Sequence, residues 1–255
     1  MKLEGKVAIV VGGGSGAGRA SSKLLAQEGA KVMIADINIE AANKVAQEIK
    51  AAGGEAATVK VDMTKEEEAI AMTKATLARF GQIDILANIA GGSQGPFIRD
   101  RMGPFAEQSK EEWDRIIDIN LNGARNCTRA VIGHMMERKS GKIVSFSSIA
   151  GVTGVRNGAD YSAAKAGIIA FTKSLAIEMS PYGINVNCIT PSLTLSERMV
   201  AAMTRRQQEN PQAPAMNAST GALPEELAVA LLFLVSDDAK HVSGQNIIFG
   251  MPAAR

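Results

Sequence analysis

Residues 7–18 read Val-Ala-Ile-Val-Val-Gly-Gly-Gly-Ser-Gly-Ala-Gly. An uninterrupted β-branched run suits a strand buried on both faces, as in a parallel sheet. Glycines directly after it let the chain turn sharply. The stretch that follows, 16–28, places Ala20, Leu24 and Leu25 at helical spacing. A strand that feeds a helix through a glycine turn is the opening of a β-α-β unit, and few folds accept one.

The same alternation continues down the chain. Apolar runs at 31–35, 57–61, 83–87, 142–146, 184–189 and 246–249 read as strands. Between them, 39–52, 66–80, 111–139, 161–180 and 224–235 carry helical spacing, the third bent near 120–123. Pro224 stands where proline is favoured, at the first helical position. Strict alternation predicts an α/β fold: one Rossmann-like, doubly wound parallel sheet with helices on both faces. No repeat or linker divides it, so residues 1–255 are expected to form one dinucleotide-binding and catalytic domain. Two segments break the rhythm, 92–109 and 192–221. Both follow strands, where ligand crevices form. Both are candidate substrate loops, and 192–221 is the candidate lid.

Composition narrows the function classes. Hydrophobic residues make up 46% and charged residues 21%, and the net charge is +2. That balance gives no basic field for nucleic acid or anionic membrane. No run of about 18 apolar residues exists to span a bilayer, and the first residues lack the apolar core of a signal peptide. Cys127 and Cys188 sit in no metal-binding spacing, so no metal site is expected and both read as buried, reduced thiols. A cytoplasmic setting follows from that reading. His134 and His241 have no catalytic company and read as surface or capping residues. Trp113 and the methionines read as packing, with Met199 and Met203 possible pocket residues.

The chemistry-bearing residues fall in two groups. Gly12, Gly16 and Gly18 space a turn whose backbone can approach a pyrophosphate, with the helix N-terminus offering N–H groups and a positive dipole end. Asp36 ends the second strand eighteen residues after Gly18. A carboxylate there accepts from ribose hydroxyls and repels a 2′-phosphate, which favours NAD over NADP. The second group is Tyr161 and Lys165, four apart and so on one helix face, with Ser148 thirteen residues before the tyrosine. A nearby ammonium favours the phenolate and brings a weak acid toward neutral pH. A nucleotide turn together with such a pair points to hydride transfer.

These residues resemble the short-chain dehydrogenase/reductase family over essentially the whole chain. The family's TGxxxGxG corresponds to residues 11–18, with Val11 in place of threonine and Ser15 and Ala17 as the variable cofactor-binding positions. Its Asp-hydrophobic pair corresponds to Asp62 and Met63, which the resemblance places on adenine. Its NNAG corresponds to Asn88-Ile89-Ala90-Gly91, and its proline-glycine turn to Pro191-Ser192, with Thr194 also on the cofactor. The resemblance implies a site of Asn120, Ser148, Tyr161 and Lys165. Tyr161 is then the general acid/base, and Lys165 holds the nicotinamide ribose and lowers the tyrosine pKa. Ser148 binds the substrate oxygen, and Asn120 bends its helix and holds a relay water. Departures are Ile89, Ser192, Ser196 for the usual threonine, Phe249-Gly250-Met251 for Asp-Gly-Gly, and a longer stretch between Gly91 and Trp113.

The expected function is an NAD-dependent oxidoreductase acting on a small secondary alcohol or ketone, as a homotetramer by resemblance. A 3-oxoacyl thioester reductase is the nearest alternative. A dinucleotide-binding sensor without chemistry is a third. Arg99, Arg101, Arg156, Arg198 and Arg205 are candidates to meet an acidic substrate, with surface solvation an equal explanation.

Overall fold

A computed structural model describes residues 1–95, 98–99, 101–209 and 221–250. Seven parallel strands form one sheet, in the order β3-β2-β1-β4-β5-β6-β7. They are β1 (Val7–Val11), β2 (Lys31–Asp36), β3 (Ala56–Lys60), β4 (Ile85–Asn88), β5 (Gly141–Phe146), β6 (Ile184–Pro191) and β7 (Asn246–Phe249). The chain winds outward from β1 to β3, returns across β1 to β4, and winds outward again. That reversal leaves a crevice beyond the carboxyl ends of β1 and β4.

Strand periodicity divides the core. Ala8, Val10, Val32 and Ile34 pack on one face, with Leu25, Leu227 and Leu231. Ile9, Val11, Met33 and Ala35 pack on the other, with Met72, Val131 and Met135. The first layer holds α1 (Gly16–Gln27), α2 (Ile39–Ala51) and α9 (Pro224–Val235). The second holds α3 (Glu66–Phe80), α5 (Gly123–Arg138) and α7 (Ala159–Met179). Cap chemistry sets several helix ends. Asn38 accepts from the Ala41 N–H at 3.1 Å. Gly81 ends α3 with φ 81°, a conformation that favours glycine.

Several expected boundaries shift. β4 begins at Ile85, not at 83. The Ile83 N–H donates to His134 Nε2 at 3.2 Å, and the Asp84 carboxylate accepts from the Val7 N–H at 2.8 Å. These side-chain bonds supplement the backbone bonds of Asp84 to Val7 and Lys142, both at 2.9 Å, and His134 has a structural partner. The 111–139 helix divides into α4 (Lys110–Ile117), a π-helical turn (Asp118–Asn122) and α5. The 192–221 segment is not all loop: it contains α8 (Glu197–Glu209). The rest of that expected lid, 210–220, lies outside the described residues. So do 96, 97 and 100 of the 92–109 segment, and the side chains of Arg198 and Arg205. A short helix, α6 (Ala150–Thr153), follows β5 and was not expected.

Candidate active site

The crevice runs along the carboxyl ends of β1, β2, β4, β5 and β6, with a volume of about 2850 Å³. Its floor is the glycine turn. Gly12 has φ 80°, and a Cβ there would sit 2.7 Å from the Ala90 nitrogen. A Cβ on Gly18 would run into the Gly12 carbonyl. Glycine is therefore a packing requirement at both positions, and at Gly12 a conformational one as well. Ser15, the N-cap of α1, makes no side-chain capping bond. The first turn of α1, at Gly16, Ala17 and Gly18, lines the crevice with no side-chain cap on its N–H groups, and uncapped N–H groups at a helix start suit an anion.

Asp36 closes the far side of this turn. Its Oδ2 accepts from the Gly14 N–H and its Oδ1 from the Asn38 N–H, both at 2.9 Å. Arg19, the nearest cation in sequence, is turned to Glu48, with guanidinium–carboxylate distances of 3.0 Å. Glu48 in turn is held below the usual carboxylate range, chiefly by its hydrogen bond from Arg19. Asp62, Met63, Ala90, Gly91, Pro191 and Thr194 all line the crevice, as do Gly12, Ser15, Gly16, Ala17 and Gly18. Asp62 accepts from both Thr64 donors, at 3.1 Å and 2.7 Å. Ser196 lies against Gly16, so the chain after β6 crosses the glycine turn.

Asn88 is placed differently. Its side chain is buried and donates to Thr128 Oγ1 at 3.1 Å and Ser145 Oγ at 3.3 Å. It pins β4 to α5 and β5 from within and is absent from the crevice wall.

Ser148, Tyr161 and Lys165 line the same crevice. Ser148 follows β5, where its Oγ accepts from the Ala150 N–H at 3.2 Å at the start of α6. Tyr161 and Lys165 share a face of α7, with the amine 5.8 Å from the phenol ring centroid. Lys165 is only 3% exposed. Its Nζ donates to the Phe146 carbonyl at 2.9 Å. Burial pushes its pKa down to about 8, a shift that the neighbouring Cys188 slightly opposes. Ser147 Oγ donates to the Lys165 carbonyl at 2.7 Å, which ties α7 to the end of β5.

Asn120 lies in the π turn and is 2% exposed. The widened turn leaves the Ile116 carbonyl to the Asn120 amide, at 3.1 Å. The same amide brackets Gly92, donating to its carbonyl at 2.9 Å and accepting from its N–H at 2.8 Å. A Cβ on Gly91 would sit 2.6 Å from Asn120 Oδ1 and 3.2 Å from Lys165 Nζ. Asn120, Gly91 and Lys165 therefore meet at one point behind the crevice wall.

Both cysteines are buried and unpaired, and desolvation pushes the Cys127 thiol up to about 12. Among the described residues no His, Cys, Asp or Glu cluster is arranged to hold a metal ion. No helix of the described residues is long and apolar enough to cross a membrane.

The sequence model for short chain dehydrogenases matches residues 6–208. The chain belongs to the short-chain dehydrogenase family. Its members bind NAD or NADP and carry out oxidation and reduction, so this chain is an oxidoreductase of that family. It is 33% identical to a 3-oxoacyl-acyl-carrier-protein reductase of Thermotoga maritima, over 97% of each chain. It is 34% identical to a cyclohexanol dehydrogenase of an Acinetobacter species, over 97% of this chain and 94% of that one. The crystal structure of levodione reductase superposes with a TM-score of 0.87 at 32% identity, covering 97% of both chains.

Proposed function

We propose that this short-chain dehydrogenase interconverts a secondary alcohol and its ketone with NAD(H), using Ser148, Tyr161, Lys165 and Asn120. The observation that carries the reading is the buried Lys165 amine beneath Tyr161, on the wall of the crevice that the glycine turn floors. The cradle fits the cofactor: the turn keeps its tight course under a pyrophosphate because Gly12 and Gly18 have no Cβ to strike Ala90 and the Gly12 carbonyl. Gly12, Ser15, Gly16, Ala17 and Gly18 would hold the pyrophosphate. Asp36 would take the adenosine ribose, and Asp62 and Met63 the adenine. Ala90, Gly91, Pro191 and Thr194 would line the nicotinamide side, and Asn88 would support them from behind. NAD(H) supplies the hydride.

The protein handles the proton. Tyr161 Oη gives it to the forming alkoxide, or removes it from the alcohol. Ser148 Oγ donates to the substrate oxygen and fixes its position. The Lys165 ammonium, held where it titrates near pH 8, stabilises the phenolate after transfer. Asn120 holds the Gly91–Gly92 backbone beside Lys165, on the path that resupplies the proton. Asp36 supports NAD over NADP, since Arg19 is engaged by Glu48.

Single-domain action over residues 1–255 belongs to the same reading, with 192–221 as the lid over the crevice. So do a cytoplasmic location and a homotetramer. β7 leaves Ile248 half exposed and α9 leaves Val229 and Phe233 exposed, surfaces that suit contact with further copies. A 3-oxoacyl thioester reductase is the second reading, supported by the similarity to the Thermotoga protein.

NADH oxidation with a panel of cyclic ketones, linear ketones and acetoacetyl-CoA tests both readings. Tyr161→Phe is expected to lower kcat by about 10³-fold or more, at the upper part of the range for a positioned acid. NADH affinity should stay within two-fold. Normal turnover in that variant would sink the mechanism, and thioester turnover well above that of ketones would select the second reading.

A further inference from the structure

Arg99 and Asp160 have no part in the chemistry above, yet they form the most buried ion pair among the described residues, with side chains 8% and 0% exposed. Asp160 is the second residue of α7, directly before Tyr161. Its carboxylate collects four donors. Arg99 supplies Nη1 at 2.6 Å and Nη2 at 3.1 Å. Gln108 supplies its side-chain amide. The Tyr161 backbone N–H supplies the fourth, at 2.6 Å. The Arg99 Nε donates to the Ser93 carbonyl at 2.8 Å. A guanidinium that grips a carboxylate with two nitrogens fixes orientation as well as distance.

The geometry turns this pair into a clamp. Gly95 and Arg99 bridge each other, with the Gly95 N–H 3.0 Å from the Arg99 carbonyl. The base of the same segment is held at Gly92 by Asn120. The segment after β4 is thus tied at two points, and each tie ends beside a residue of the proposed site. Ile98 and Met102 project from it into the crevice. Met102 also packs on Gly158, just ahead of α7, where no Cβ would fit. Buried pairs of this kind add little to stability compared with apolar replacements, and in some proteins they fix one arrangement among several.

We propose that Arg99 and Asp160 are positioning residues that set substrate specificity. The pair holds the described part of the 92–109 segment so that Ile98 and Met102 form an apolar wall beside Tyr161. It also neutralises Arg99, so the wall that Ile98 and Met102 form carries no net charge from the pair and favours an uncharged, apolar carbonyl compound. The inference rests on the alcohol–ketone reading above.

The double variant Arg99→Met with Asp160→Asn tests it without leaving a lone buried charge. With cyclohexanone as the probe, KM should rise ten-fold or more, while kcat stays within three-fold and the NADH Kd within two-fold. A merely structural role would raise the NADH Kd in step with KM. That result, or an unchanged KM, overturns the proposal. Wild-type enzyme should use cyclohexanone at least ten-fold better than acetoacetate in kcat/KM. The reverse order overturns the neutralisation of Arg99. Amide hydrogen exchange at Ser93 to Gly95 and at Met102 gives a readout that needs no turnover. It should quicken at least ten-fold in the double variant and leave the Lys165 amide unchanged. Unchanged exchange at the segment removes the clamp. If wild-type enzyme reduces neither probe, the alcohol–ketone reading fails, and the exchange result alone decides the role of the pair.

Discussion

Replacing Lys165 by methionine is expected to stabilise the cofactor-free fold at neutral pH and to abolish turnover. The magnitude follows from burial. The amine titrates at about 8 in the folded protein against 10.5 for an ordinary lysine. At about 1.4 kcal/mol per pH unit, the folded state carries a cost of about 3 kcal/mol while the group is charged in both states. Methionine fills nearly the same volume without that cost. It forfeits the bond from the charged Nζ to the Phe146 carbonyl, about 1.5–3 kcal/mol. The variant should therefore be about 1 kcal/mol more stable at pH 7. The sign reverses its advantage at alkaline pH. Between 8 and 10.5 the folded amine has lost its proton while the unfolded chain still binds one, so wild-type stability rises with pH. From pH 7 to pH 10 wild type should gain about 2–3 kcal/mol on the variant and overtake it. Urea unfolding followed by the fluorescence of Trp113, the single tryptophan, measures the difference at both pH values at one protein concentration. A gap that does not change with pH, or a less stable variant at pH 7, would refute the claim that desolvation sets the state of this lysine.

Two further outcomes bear on the cofactor half. Asp36→Ala removes the carboxylate that organises Gly14 and Asn38; fluorescence titration should show NAD affinity falling about ten-fold, a loss of about 1.4 kcal/mol, with NADP affected less. An unchanged NAD-to-NADP ratio would refute the ribose assignment. Gly18→Ala drives a Cβ to within 2.7 Å of the Gly12 carbonyl carbon. It should cost about 1–3 kcal/mol of stability through overpacking and weaken NADH by more than ten-fold. Wild-type NADH affinity in a folded variant would show that the turn has slack.

The sheet was legible because parallel strands are rich in apolar and β-branched residues, unbroken at Val7–Val11, and each such stretch matches a strand within a residue or two. Ile83 was the exception. It is apolar and buried, but a histidine fifty-one positions away takes its N–H. The proline and asparagine residues at 210–217 give 192–221 the composition of a loop and mask the helical stretch at Glu197–Glu209. Of the site, the glycine turn and the Tyr161–Lys165 spacing are local patterns and therefore visible. The partners of Asn120 are backbone groups of Gly92, and Asp160 meets a guanidinium sixty-one residues away. Neither pairing leaves a period or spacing to read. Arg99, read from sequence as a possible acid-binding cation, is engaged by Asp160.

The π turn at Asp118–Asn122 sets the phase between two helices. One residue more or less in an α-helix turns everything beyond it by about 100°. Deleting a residue here would restore an ordinary helix, but it would swing the sixteen residues of α5 around their axis. Cys127, Val131 and Met135 would leave the sheet, and Asn120 would lose the Ile116 carbonyl that positions it against Gly92. Insertions and deletions should therefore be tolerated in the connection between Gly92 and Ser109 far better than in these five residues. The length of that turn is fixed by the core and the crevice together.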